Sequence, residues 1–448
     1  MKTIIKNGQV ASSKEVVCKK IYIEDSKFVM PFPDVEADKI VDAEGMLILP
    51  GAIDVHTHQA SFTNGFDVQD DFYDASVAAA AGGTTTFVNF VIQNKGVMPV
   101  DCLQAKKKEA ERDAAVDFSF HLQFTDVNEK SIAQLKDVID MGITSVKIFL
   151  AFSKSGYKVD DYKLMELLKL SKEYGFVLSA HCENEELINA NEERLLKEGK
   201  DEFKYYPESR PVYSEVSTVQ KAVNFAKEVG AKIYIVHLSS GQGLEEAIQA
   251  KDNAIVETCI QYLALDDTKF AEDGSFKYLM APPLRKQYDI DRLWKGILDG
   301  DVSVVATDHC PFAIEHKNQE NYTKVPLGVP GIESLLPIVY SEGVAKGRIP
   351  VTKLVSVLSE NPAEIFGLEN KGKIQAGYDA DFVMLDPNDK FTVKNENVYT
   401  KSKYSLYDGQ TLYGKVKATY VRGKAVFADD KFLGEKGYGK FIARKPKF

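Results

Sequence analysis

The sequence predicts a large (β/α)8 barrel beside a small β-sandwich built from both chain termini, and three observations predict it. A chain of 448 residues exceeds what one simple core usually holds, which leaves a large α/β barrel or two unequal domains. Across residues 84–307, continuous apolar runs alternate with amphipathic segments, the pattern of parallel strands covered on both faces by helices. Both ends of the chain are instead written as short strands broken by turns.

Residues 2–6, 16–20, 21–24 and 39–42 are runs too short for helices, and Leu47-Ile48-Leu49-Pro50-Gly51 closes this first group at a turn. Strands are then expected at 84–90, 117–123, 145–150, 176–180, 232–236, 253–257 and 302–307. Between them, stretches such as 162–174 and 216–229 repeat apolar residues along one helical face. Seven or eight such units favour a barrel of the TIM type, with a doubly wound parallel sheet as the alternative. Residues 381–385, 414–421 and 424–427 return to short strands, the last two joined by Arg422-Gly423. The expected division is a composite sandwich from 1–50 and 369–448 and a barrel at 51–368, with no short repeat and no Gly/Ser-rich linker.

With 44% hydrophobic and 27% charged residues, the composition is that of an ordinary globular protein. A net charge of −10 matches phosphates poorly, and the basic run Lys106, Lys107 and Lys108 lies among helix formers as a solvated face, so no nucleic-acid partner is expected. The N-terminus lacks a signal-peptide pattern and no 18 apolar residues run together, so no membrane association is expected and the protein should be cytoplasmic. Cys18, Cys102, Cys182, Cys259 and Cys310 are odd in number and form no CxxC; they read as packing thiols, not a disulfide framework.

Metal-binding side chains stand directly after several apolar runs. Ile53-Asp54-Val55-His56-Thr57-His58 places two imidazoles at i and i+2, on one face of an extended strand. His181, His237 and Asp308 each follow a run of their own, and in a barrel those strand ends converge on the face that carries active sites. One histidine after a strand is ordinarily packing; four with an aspartate predict a metal site. His121, His309 and His316 are read as core or surface residues, although His121 also closes an apolar run. Lys147 stands inside an apolar strand, where desolvation lowers the pKa of an ammonium. A neutral amine can add carbon dioxide, and the resulting carbamate can bridge two cations.

Asp54-Val55-His56-Thr57-His58, Ser145-Val146-Lys147-Ile148-Phe149, Ala180-His181-Cys182-Glu183-Asn184, Glu208-Ser209-Arg210-Pro211, Val236-His237-Leu238-Ser239-Ser240, Glu257-Thr258-Cys259, Ala281-Pro282-Pro283-Leu284-Arg285, Thr307-Asp308-His309-Cys310-Pro311-Phe312 and Asn361-Pro362-Ala363 occur in this order. As an ordered set spanning essentially the whole chain, they closely resemble the dihydropyrimidinase and D-hydantoinase family of cyclic amidohydrolases. The resemblance implies a binuclear zinc site, with His56, His58 and Asp308 on one ion, His181 and His237 on the other, and Lys147 as a bridging N6-carboxylysine. It implies that a bridging hydroxide attacks a cyclic amide, that Asp308 carries the proton to the departing nitrogen, and that the ring opens to an N-carbamoyl amino acid. It implies no organic cofactor, and a homotetramer or dimer. Residues 404–448, with Tyr407, Tyr413, Tyr438 and Phe441, either pack between subunits or pin the tail to its own sandwich.

Three expected substrate-binding positions depart from the family pattern. Phe152 replaces the usual Tyr five residues after the bridging lysine, Ala281 replaces a Ser, and Leu327 replaces an Asn. Losing one oxyanion donor typically costs about 2.7–4 kcal/mol; Tyr157 is a candidate substitute. The changes make the pocket more apolar, so a less polar ring substituent and weak activity on dihydrouracil are expected. Gln59 and Ala60 follow the HxH pair where dihydroorotases place an Arg, which disfavours that reading. Allantoinase is the alternative. A non-catalytic assembly protein is remote, because every ligand position is filled.

Overall fold

The computed structural model describes residues 1–63 and 65–448. Eight strands form one sheet: β1 (Ala52–Thr57), β2 (Thr84–Ile92), β3 (Asp117–Gln123), β4 (Ser145–Phe149), β5 (Val177–His181), β6 (Ile233–Ile235), β7 (Ala254–Cys259) and β8 (Val304–Ala306). They neighbour one another in chain order, and every ladder is parallel. A bridge between Thr57 and His309 brings the end of β8 back to β1, so the sheet is a nearly closed barrel. The expected barrel is present, and the doubly wound alternative is not.

The period of two along these strands explains where chemistry can sit. In β3, Phe118, Phe120 and Leu122 alternate with Ser119, His121 and Gln123, and all are buried. The apolar set faces the helical layer, while the polar set is aligned across the sheet with neighbours of its own kind, Gln123 opposite Lys147 and Lys147 opposite Ser179. Helices fill the connections. Asp160 caps Asp161–Tyr174 by accepting from Lys163 N, and Gly175 ends it at φ 74°. Val212–Val229 starts four residues before the expected 216–229, directly after Pro211, whose fixed φ suits a helix entrance.

Several strands differ in extent from expectation; Phe382–Thr392 and Thr411–Val421, for instance, are longer than 381–385 and 414–421. β6 and β8 are shorter than 232–236 and 302–307, because the chain bends out of the ladder just beyond them, at His237 (φ 39°) and Asp308 (φ 54°). The run at 16–20 pairs only over Val16–Cys18.

The termini build two further sheets. One is ordered Lys27–Phe28, Ile21–Glu24, Lys2–Lys6, Lys39–Asp42; the other, Lys431–Phe432, Lys424–Ala428, Thr411–Val421, Phe382–Thr392, Leu47–Pro50, Gln9–Ala11, Val16–Cys18. Leu47–Pro50 pairs with Phe382–Thr392, which joins the two chain ends directly. Ile5, Ile23, Phe28, Ile48, Phe382 and Met384 share one apolar core there. Lys371, buried, ties this unit to the barrel through Asp381 at 2.7 Å and Asp117 at 2.5 Å. The tail runs along the start of β3, where Ile442 N donates to Phe118 O at 2.7 Å and the Phe441 ring packs 5.9 Å from Phe120. Tyr407 is buried and Tyr413 exposed. The five cysteines are free. Among the described residues, no helix is long and apolar enough to cross a membrane.

Candidate metal centre

His56 of β1, His58 just past it, Lys147 of β4, His181 at the end of β5, His237 and Asp308 meet in one cavity at the carboxyl ends of the strands. Asp308 Oδ1 lies 3.1 Å from both His56 Nε2 and His58 Nε2. His181 Nδ1 faces His237 Nε2 at 3.0 Å, and the His56 ring is 5.4 Å from that of His237. Left-handed backbone at His237 and Asp308 costs about 1–3 kcal/mol each and turns both side chains inward at the strand ends. The donor set fits cations. His237 Nδ1 is buried without a hydrogen-bond partner among the described residues, and Lys147 Nζ rests over the rings of Phe149 (4.8 Å) and Phe90 (5.3 Å).

A layer of buried carboxylates stands behind these groups. Glu257 Oε1 is 2.6 Å from His56 Nδ1 and accepts from His237 N at 2.9 Å, while its Oε2 accepts from Tyr234 OH at 2.8 Å. Glu183 Oε2 lies 2.9 Å from His181 Nε2 and is paired with Arg210. Asp54 accepts from Thr307 Oγ1 at 2.5 Å, fixing the turn before Asp308. Carboxylates that orient imidazoles are what metal ligands usually require of their surroundings.

Comparisons with known proteins agree with this geometry. The family model described as "Amidohydrolase family" matches residues 47–426. D-phenylhydantoinase of Escherichia coli O1:K1 / APEC is 33% identical over 462 residues, covering 100% of this chain and 99% of the relative. Dihydropyrimidinase from Brevibacillus agri NCHU1002 superposes with a TM-score of 0.96 at 32% identity, over 100% of this chain and 99% of that one. L-hydantoinase (dihydropyrimidinase) from Arthrobacter aurescens does so at 0.92 and 30% identity, over 99% of each chain. The chain belongs to the amidohydrolase family. It is a cyclic amidohydrolase of the hydantoinase and dihydropyrimidinase type, and members of this family usually bind a pair of metal ions.

Charges within this amidohydrolase site are strongly perturbed. Burial pushes the Lys147 ammonium down to about 8 against the opposing pull of Asp308 and Glu257. Burial also disfavours charged His56, but Glu257 and Asp308 more than offset it and raise the imidazole to about 9. His181 and His237 are lowered, chiefly by burial. Burial acts to raise Asp308, yet His56 and His58 hold it well below the usual carboxylate range. Glu183 sits at about 2, because Arg210 and His181 outweigh its burial.

The cavity in front of the ligands is small, about 80 Å³, and continues into an outer one of about 550 Å³ bounded by Phe62, Ile92 and Tyr157. Phe152, Ala281 and Leu327 all line the inner cavity. The Phe152 ring lies 5.1 Å from His181, under the Arg210 guanidinium. Tyr157 also lines it, with its hydroxyl 3.4 Å from Thr63 Oγ1. The other histidines lie elsewhere. His121 bonds Val55 O and Ser145 Oγ, and His316 packs on Phe66. His309 bonds Asp70 at 3.0 Å, and Asp70 in turn accepts from Thr400 Oγ1. Sequence reasoning missed Glu257, Glu183, Asp54 and Asp70 as supports. The signal for Glu257 was a charged residue directly after the apolar run Ala254-Ile255-Val256.

Proposed function

We propose that the chain opens a hydantoin or dihydropyrimidine ring to an N-carbamoyl amino acid, using two zinc ions. His56, His58 and Asp308 would hold one ion, His181 and His237 the other, and carboxylated Lys147 would bridge them. The observation that supports this most is the convergence of those six side chains, from five of the barrel strands, in one cavity backed by carboxylates. When bound, a zinc pair supplies positive charge that polarises a carbonyl and lowers the pKa of water. Asp308, kept ionised by His56 and His58, takes the proton from the attacking water. As the new C–O bond forms and the ring C–N bond breaks, Asp308 returns that proton to the departing nitrogen.

Phe152 supplies no hydroxyl to the carbonyl oxygen, and Tyr157 is the nearest candidate for that task. Phe149, Phe152, Ile92 and Leu327 present an apolar wall, which suits a ring bearing an apolar, aryl-type substituent. That a relative is named D-phenylhydantoinase supports the same choice. The ureido group of allantoin is a poorer match to this wall. The same reading carries a cytoplasmic homotetramer or dimer, with no organic cofactor, and a barrel at 51–368 beside a sandwich from 1–50 and 369–448.

The test is a parallel assay of zinc-loaded protein on hydantoin, 5-phenylhydantoin, dihydrouracil and allantoin, with metal content measured on the same samples. The expected order places 5-phenylhydantoin first, and Phe152→Tyr should raise dihydrouracil turnover. Dihydrouracil opened as fast as any hydantoin would refute the substrate assignment.

A further inference from the structure

Lys317 ends the short segment Ile314–Lys317 and is fully buried. Its Nζ donates to three backbone carbonyls, Leu279 O at 2.6 Å, Gly328 O at 2.8 Å and Pro326 O at 3.1 Å. Three donors of an ammonium are thus matched by three acceptors. No carboxylate pairs with it among the described residues, and burial pushes the group down to about 7. A lysine held this way is an expensive device if it only fills space, since an apolar side chain would fill the same volume without desolvating a charge.

The three carbonyls belong to the two walls of the inner cavity. Leu279 precedes Met280 and Ala281, while Pro326 and Gly328 flank Leu327; Ala281, Leu327 and Gly328 line the space in front of the ligands. The walls touch through Gly328 N, which donates to Leu279 O at 3.2 Å. The second wall also abuts the segment after Asp308. Cys310 N donates to Val329 O at 2.9 Å, and a Cβ on Gly328 would lie 2.7 Å from Cys310 O. Leu279 O therefore accepts from both Gly328 N and Lys317 Nζ, and the ammonium lies where the two walls join.

We propose that Lys317 is a positioning residue that clamps the Ala281 wall to the Leu327 wall and so sets the width of the substrate cavity. The inference rests on the reading of this cavity as the cyclic-amide site. Lys317 touches neither the ligands nor the cavity, so its removal should loosen ground-state and transition-state binding alike, raising KM and sparing kcat.

The experiment compares zinc-reconstituted wild type, Lys317→Met and Lys317→Gln in two measurements: steady-state hydrolysis of 5-phenylhydantoin, and amide hydrogen exchange across residues 276–285 and 318–332 with 145–149 as internal reference. Lys317→Met is expected to raise KM about tenfold or more with kcat per loaded site within about threefold, and to speed exchange in both walls while β4 is unchanged. Lys317→Gln, which keeps two donors, should fall between, and it serves if the Met variant does not fold. A lower melting temperature with unchanged KM, or unchanged exchange in the walls, would overturn the clamp. If the wild type opened no cyclic amide, the proposed function would fall, while the exchange measurement would still decide the role of Lys317.

Discussion

Replacing Glu257 by Gln isolates what a buried carboxylate does for the ligands it supports. The amide keeps the shape of the side chain, and its oxygen can still accept from His56 Nδ1, now 2.6 Å away, and from His237 N at 2.9 Å. What it withdraws is charge. Burial works against a charged or strongly basic His56, and Glu257 is the first of the two groups that reverse this and hold it near 9. Without it the imidazole is less basic and a weaker donor to a cation. A hydrogen bond to an ionised group contributes about 1.5–3 kcal/mol against about 0.5–1.5 for a neutral one, so the loss is about 1–2 kcal/mol, or roughly 5- to 30-fold in metal affinity. Tyr234, whose hydroxyl now donates to Oε2 at 2.8 Å, must also reorient to meet an amide N–H. Competition against a chromogenic chelator reads the affinity, and kcat at saturating zinc reads any further effect on chemistry. Unchanged affinity, or a loss confined to the melting temperature, would refute the claim that Glu257 acts through His56.

Further perturbations have equally definite outcomes. Tyr157→Phe removes the phenolic hydroxyl lining the inner cavity and should lower kcat about 10²-fold at unchanged metal content, read by steady-state kinetics with elemental analysis. Arg210→Met leaves buried Glu183 with His181 as its remaining partner and removes its guanidinium, which costs about 3–5 kcal/mol in denaturant melts. Because Glu183 is held at about 2, its contribution is present above the unfolded carboxylate pKa and lost as pH falls toward 2, so the difference between variant and wild type should shrink in acid. Glu333 behaves oppositely: burial raises it to about 7. The native chain then keeps a proton that the unfolded chain has released between about pH 4.3 and 7, and stability falls as pH rises through that window. Glu333→Gln should therefore be more stable than wild type at pH 8, by roughly 1–3 kcal/mol, with the difference vanishing below pH 4.

The barrel was legible because strands such as β3 carry apolar outward-facing residues, Phe118, Phe120 and Leu122, and the strands are separated by amphipathic helices. Most candidate ligands were legible by position: His181 ends β5, His237 and Asp308 lie two residues past β6 and β8, and His56 and His58 straddle the end of β1, whereas Lys147 was marked by its charge inside an apolar strand. What was hidden depends on distance in space with no period in sequence. Asp70 meets His309 across 239 positions, and Glu257 meets His56 across 201. Nothing local distinguishes Asp70 from a solvated acid, and the apolar run before Glu257 marks its burial without naming its partner. The strand ends at Ile235 and Ala306 were equally hidden, since the bend that stops each ladder uses a left-handed His237 and Asp308 where a glycine would have announced a turn. Lys317 is the same case: its three partners are carbonyls, and backbone carbonyls have no sequence signature.

Lys147 links the two halves of the proposed function, because the amine that must react and the ions that must bind oppose one another until it has reacted. A few ångströms apart, an ammonium and a divalent cation repel by several kcal/mol even in a well-screened site; a carbamate reverses the sign. Only the neutral amine can add carbon dioxide, and with burial holding Lys147 at about 8, roughly a tenth of the metal-free protein is neutral at pH 7 and roughly nine-tenths at pH 9. Metal uptake by chelator-treated protein should therefore require dissolved carbon dioxide and, with that concentration held fixed, quicken roughly tenfold between pH 7 and pH 9. Lys147→Arg cannot be carboxylated, since its guanidinium stays charged, and should bind fewer ions and show no response to carbon dioxide. Uptake of two ions by the wild type at equal speed with and without carbon dioxide would break the link, and would require a different anion to stand between the metals.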